Sequence, residues 1–202
     1  MPGVVGPSFL CDLALTCEAV EFAAEHHAGQ ERAADRAAFL VHPVEVAWLL
    51  HSSGYPDPVV AAAVLHDVVE DTDADLPELR ERFGDEVAEL VAVLTEDPGI
   101  TDWAARKRDL RNRLLDSREE AAAIFAADKV SKVRELRALV GLRELSLAEL
   151  RDRLDHYRRS LDVLERVLGP GDRLVGDLRF ELEALLALPP GGTAEVLAEV
   201  AR

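Results

Sequence analysis

The chain is predicted to be all-α, a bundle of roughly nine helices. Three observations predict it. Apolar residues recur at intervals of three and four, the period of a helix face, and no useful stretch alternates apolar with polar. Alanine is abundant while aromatic residues make up only 5% of the 202 residues, which suits closely packed helices better than a sheet. Helix starts and stops punctuate the chain at short intervals. With 49% hydrophobic residues, one domain with a modest extension has enough apolar surface for a core.

The elements follow in order. After a loose start of eight residues, Leu15, Ala19, Phe22 and Ala23 mark a helix from Asp12 to His27, ended by Gly29. Residues 29–40 form a polar connection containing Arg32 and Arg36. A second helix opens at His42-Pro43 and closes at Gly54, because proline is comfortable in a first turn. Asp57-Pro58 caps a third, expected to run unbroken through Val60, Val64, Leu65 and Val68 to Glu70-Asp71. Asp75 with Glu78 reads as a capping box, and Phe83-Gly84 ends that short helix. Asp85–Leu94 is a fifth helix, followed by a Pro98-Gly99 loop. An Arg-rich helix runs from Asp102 to about Leu115. Ser117 and Glu120 suggest a capping box for the helix Ala121–Val140. Ser146 and Glu149 do the same for a helix reaching Leu168. Gly169-Pro170-Gly171 breaks the chain, and Asp172–Leu188 makes a ninth. The expected domain is 1–188, with core motifs at 18–140 and closing helices at 146–188; residues 189–202 are a linker and a short helical tail.

The formal charge is −16, which disfavours nucleic acid and anionic membranes as partners. No apolar run is long enough to span a bilayer, and the first residues lack the pattern of a signal peptide. Cys11 and Cys17 lie six residues apart on one helix, point in different directions and should stay reduced. A cytoplasmic location is expected. Only three residues are lysines, Lys107, Lys129 and Lys132. The last two sit beside Asp128, which suggests either a local anion site or a solvated face. For Arg106-Lys107-Arg108 an exposed face is slightly favoured over phosphate binding, and His51 and His156 are placed at the surface.

The most informative segment is Leu65-His66-Asp67-Val68-Val69-Glu70-Asp71-Thr72. Carboxylates on an apolar helix are expensive to bury unless a cation compensates them. Four residues of helix rise about 6 Å, so one His-Asp pair can bind a metal while the acidic pair one turn on handles a neighbouring water. His42, at the mouth of the second helix, and Asp128 are further candidate ligands. A mixed nitrogen and oxygen shell suits Mn²⁺, Fe²⁺, Co²⁺ or Zn²⁺ better than Ca²⁺. Taken alone, each residue has a bland reading: a helix-end histidine, a solvent-facing aspartate.

Taken together, these motifs resemble the HD-type alarmone hydrolases of the Rel/SpoT family, in its small hydrolase-only form. The resemblance rests on His27-Ala28-Gly29-Gln30-Glu31-Arg32, Val41-His42-Pro43, the His66–Thr72 phrase, Phe83-Gly84-Asp85-Glu86-Val87, and Ala127-Asp128-Lys129 with Arg134. It implies a helical bundle and Mn²⁺-dependent removal of the 3′-pyrophosphate of ppGpp or pppGpp, a small nucleotide. Carried over by motif, the metal ligands would be His42, His66, Asp67 and Asp128. Glu70 and Asp71 would be the catalytic pair and Arg32 would pack on the base, a task that suits a flat guanidinium. His27 matches a family histidine in a supporting position. Lys129 and Lys132 would hold phosphates.

The chain departs from the family where base and sugar are recognised. Ala33 stands for a second basic residue, and Arg36-Ala37-Ala38-Phe39 replaces Gly-Glu-Pro-Tyr. Lys132 stands where the family has an asparagine facing the ribose. Two alternatives follow: an HD phosphohydrolase for another nucleotide, such as an adenine alarmone or the 2′-phosphate of NADPH, or a nucleotide-binding module without catalysis.

Overall fold

A computed structural model describes residues 13–142 and 147–187. Among them are ten helices: α1 (Ala14–His26), α2 (Val41–Ser52), α3 (Asp57–Leu65), α4 (Val68–Asp71), α5 (Leu76–Phe83), α6 (Asp85–Leu94), α7 (Trp103–Leu115), α8 (Glu119–Leu142), α9 (Leu147–Val167) and α10 (Arg173–Leu186). The all-α expectation is borne out; the one β feature among the described residues is an isolated antiparallel bridge, Glu31 to Ala38. The predicted cap at Ser146, the residue Cys11 and the 189–202 tail lie outside the described residues. The helices form two compact units. One takes the described residues up to Arg32 together with Ala37–Thr95; the other takes Ala33–Arg36 and those from Glu96 onward.

In the first unit α3 is central, packing on α1, α2 and α6. Its alanines and valines leave Val59 to Leu65 buried on every side, and small side chains allow several helices to approach one. Asp57 does not cap its own helix as predicted, where Pro56 holds the N-cap position. Its carboxylate reaches the start of α1, accepting from Leu15 N (3.0 Å), Thr16 N (2.9 Å) and Thr16 Oγ1 (2.6 Å). The orphan N–H groups of α1 thereby gain an anionic acceptor.

The predicted unbroken helix from Asp57 to Asp71 is corrected: it breaks at His66-Asp67. His66 Nδ1 bonds the Ala63 carbonyl at 2.7 Å, the carbonyl that a continuous helix would offer to the Asp67 N–H. The chain restarts as α4, with Asp67 O accepting from Glu70 N (3.2 Å) and Asp71 N (3.0 Å). Thr72 Oγ1 then closes α4 on the Val68 carbonyl at 2.6 Å. The Asp75 cap forms as predicted, accepting from Glu78 N at 2.9 Å. Gly84, at φ +87°, turns the chain from α5 into α6, a conformation that costs glycine little.

In the second unit α8 packs on α9 and α10, and α7 packs on α9. Ala121 to Val130 are buried throughout. Ser117 does not cap α8: its hydroxyl donates to the Leu114 carbonyl at 3.0 Å, closing α7 instead, and Arg118 O accepts the first bonds of α8. Glu181 of α10 is buried and pairs with Arg134 and Arg137 of α8, each at 2.8 Å. No described helix is long and apolar enough to cross a membrane.

Candidate metal centre and cationic cavity

His42 is the second residue of α2 and is buried to 2% exposure. Pro43, the next residue, fits the first turn of the helix. His66 and Asp67 occupy the break between α3 and α4, where the turn brings both side chains to one side. His66 Nε2 lies 3.2 Å from Asp67 Oδ1 and His42 Nε2 lies 3.4 Å from Asp67 Oδ2. The two rings meet edge to face, 5.2 Å between centroids.

This arrangement has an electrostatic consequence. The Ala63 carbonyl can only accept, so His66 Nδ1 must carry a proton. In the neutral ring Nε2 then presents a lone pair toward a carboxylate oxygen. Two acceptors at that distance repel unless a cation or a further proton intervenes. The donor set of two imidazoles and a carboxylate therefore fits a divalent transition metal, and the Nδ1–H bond to a carbonyl is the usual means of orienting a ligating histidine. Glu70 and Asp71 are exposed on α4, the turn that follows. Arg32 is half-buried in the α1–α2 connection, its N–H bonded to Ala37 O at 2.8 Å.

In the second unit Asp128 and Lys129 are buried on α8, and the Lys129 ammonium meets Asp128 Oδ2 at 2.5 Å. That ammonium also lies 4.3 Å over the Phe125 ring, a favourable site for a desolvated cation. A cavity of about 400 Å³ opens beside it, lined by Trp103, Lys107, Lys132, Arg153, His156 and Tyr157 among others. All three lysines of the chain line this one cavity. Glu149 and Asp152 line it too, so the cavity carries both signs of charge, and its four cations, gathered in so acidic a protein, can take an anionic group. Glu96 holds one of its cations, bonding the Lys107 ammonium, and also accepts from Arg106 Nε (2.6 Å). Burial pushes the Glu96 carboxyl up, but Lys107 and Arg106 outweigh it and hold the group below its ordinary value. The exposed-face reading of Arg106 and Lys107 is thus corrected, since Glu96 draws both side chains inward.

The surface placement of His156 is also corrected. It is buried, accepts from Arg111 Nη1 at 2.6 Å through Nδ1, and packs against the Trp103 ring. Burial first, then the nearby Lys129, Lys107 and Arg111, pushes its pKa down to about 2, so the ring is neutral. Burial, with Asp128 adding to it, pushes the Tyr157 hydroxyl up.

The chain matches the HD domain family over residues 19–163. It belongs to the HD domain family. Within that family it is 36% identical over 129 residues to the Xenopus tropicalis protein named guanosine-3′,5′-bis(diphosphate) 3′-pyrophosphohydrolase MESH1, covering 62% of this chain and 72% of that one. An Aquifex aeolicus guanosine-3′,5′-bis(diphosphate) 3′-pyrophosphohydrolase is 34% identical over 120 residues, 58% of this chain. The chain spans only 17% of that longer relative. Among solved structures, a metazoan ortholog of SpoT described as hydrolysing ppGpp superposes with a TM-score of 0.72. It shares 26% identity, covering 91% of this chain and 97% of that one.

His66-Asp67 is the one His-Asp dipeptide in the sequence, and the structure brings His42 to it within the first unit. Sequence reasoning missed Trp103, Arg153, His156 and Tyr157. One signal was present: Leu150, Leu154, Tyr157, Leu161 and Leu164 fall at alternating steps of four and three, which sets Tyr157 on the inward stripe of α9. Nothing comparable marks Trp103 or His156.

Proposed function

We propose that this HD-domain protein is a metal-dependent phosphohydrolase that removes the 3′-pyrophosphate of ppGpp or pppGpp. The observation that carries it is the convergence of the His42 and His66 Nε2 atoms on the Asp67 carboxylate, with an acidic pair one turn further on. The relatives named for this activity support the substrate. His42, His66 and Asp67 would hold a divalent ion, taken here as Mn²⁺, and Asp128 is assigned to it by its place in the family motif. When bound, such an ion supplies Lewis-acid polarisation of a phosphate oxygen and a water of lowered pKa.

The chain's own residues carry the rest. Glu70 accepts the proton of the attacking water. Asp71 positions that water or protonates the departing 3′ oxygen, so that the phosphoester bond breaks and pyrophosphate leaves. Lys129 and Lys132, with Lys107 and Arg153 in the same cavity, hold phosphate oxygens. Arg32 stacks on the base. This reading treats 1–188 as one functional domain acting in the cytoplasm on a small nucleotide; the −16 charge supports a partner other than nucleic acid or membrane.

One observation favours a second reading. Lys132 lines the cavity and stands in the motif position of the family's asparagine, and a cation in place of that amide favours a further phosphate on the sugar. The deciding experiment incubates Mn²⁺-loaded protein with ppGpp, pppGpp, an adenine alarmone and NADPH. Pyrophosphate release from the guanine alarmones is the expected result. Turnover of NADPH or the adenine compound alone would move the assignment to the second reading, and no turnover of any would overturn both. Glu70→Ala is expected to lower kcat by roughly a hundredfold or more, measured as pyrophosphate release.

A further inference from the structure

The peptide that carries Asp71 is tied to a residue outside the acidic motif. Gln30 Nε2 donates to the Asp71 carbonyl at 2.9 Å, and Gln30 Oε1 meets His27 Nδ1 at 2.8 Å. The first bond decides the second. A carbonyl can only accept, so the amide nitrogen must face Asp71 and the amide oxygen must face His27. His27 Nδ1 is then a donor. His27 is buried, and among the described residues its Nε2 meets no hydrogen-bond partner. A proton on Nδ1 therefore satisfies the whole chain of bonds.

The backbone presents Gln30 rigidly. Its N–H donates to His27 O at 3.0 Å, and its carbonyl accepts from Phe39 N at 2.9 Å. Gly29, at φ +81°, makes the turn that joins the two. At the other end, α4 has four residues, too few to satisfy its own carbonyls. Thr72 Oγ1 takes the carbonyl of Val68 and Gln30 takes that of Asp71. The peptide after Asp71 is therefore oriented from the α1–α2 connection.

We propose that Gln30, oriented by His27, is a positioning residue that fixes the Asp71 backbone and through it the direction of the Asp71 carboxylate. The proposal rests on the reading of Asp71 as a catalytic acid. Misplacing a catalytic group by about 1 Å costs up to roughly a hundredfold in rate, which sets the scale of the effect.

The test compares Gln30→Leu, Gln30→Glu and Asp71→Asn in the Mn²⁺-loaded full chain with ppGpp. Gln30→Glu keeps the size of the side chain and its acceptor for His27, and removes the donor to Asp71. Both Gln30 variants are expected to lose roughly tenfold or more in kcat, with KM within about twofold and with metal content and thermal midpoint unchanged. An inactive Asp71→Asn beside Gln30 variants of unchanged kcat would overturn the positioning role alone. So would an effect confined to KM, or one that followed metal loss. A fully active Asp71→Asn would remove the reading of Asp71 as a catalytic acid, and the positioning role with it. Imidazole ¹⁵N NMR on the unmutated protein needs no variant to fold: His27 protonated on Nδ1 supports the proposal, and His27 protonated only on Nε2 overturns it.

Discussion

A histidine whose Nδ1 is committed to a carbonyl has one nitrogen left for chemistry, and His66 is in that state. Its Nε2 faces Asp67, so His66→Ala should abolish both metal retention and turnover, checked by metal analysis of the purified variant. His156 is the opposite case, a buried imidazole held neutral by burial and by three cations. Its folded pKa of about 2 lies below the unfolded value of about 6.5. The unfolded chain therefore binds the extra proton first as pH falls. The neutral ring costs no stability above about pH 6.5, and each unit below that removes about 1.4 kcal/mol. Thermal midpoints recorded from pH 7 to pH 4 should fall accordingly, and His156→Gln should flatten that limb by one proton's worth. A steepness unchanged by the substitution would refute the assignment.

At the scale of elements, two joints matter. The break between α3 and α4 turns His66 and Asp67 out of an otherwise fully buried helix and toward His42. A helix continuing through that point would have spread these groups along its length. The second joint is Asp57, which opens α3 and caps α1. Hydrogen bonds to a charged acceptor contribute more than neutral ones, and Asp57→Ala would strip several at once. Its expected cost is about 2 kcal/mol, measured by urea unfolding, with Asp57→Asn recovering part of it. The short-range rules located both ends of this segment. They missed the break because it depends on a side chain competing for a helix carbonyl, which local periodicity does not register.

For the whole molecule, charge and metal linkage lead to the remaining predictions. The chain carries a formal −16, yet Lys107, Lys129, Lys132 and Arg153 share one cavity. Removing one of those cations should weaken phosphate binding without altering the chemical step. Lys132→Asn is expected to raise KM for pppGpp by about fivefold, close to 1 kcal/mol, with kcat within about twofold. An ion bound only by the folded chain stabilises it by mass action, about 2.7 kcal/mol at a hundredfold excess over Kd. Chelation should therefore lower the thermal midpoint and abolish activity, and Mn²⁺ should restore both. Calorimetry with and without chelator checks this.

The candidate metal and acid positions could be named from the sequence because His42-Pro43 and His66 to Asp71 are local phrases, and local spacing survives folding. The helix boundaries were legible for the same reason at Asp75, Gly84, Asp102 and Gly169, where a cap or a glycine acts on its own turn. The cavity was not. Trp103 and Lys107 come from α7, Lys129 and Lys132 from α8, and Arg153, His156 and Tyr157 from α9, and no spacing rule relates three helices. By itself the sequence determined the helical class, the cap at Asp75 and the candidate ligands. Only the tertiary structure decided which nitrogen of His66 is available, that His156 is buried and neutral, and that Gln30 reaches Asp71. Each of these depends on which groups packing brings within hydrogen-bond range.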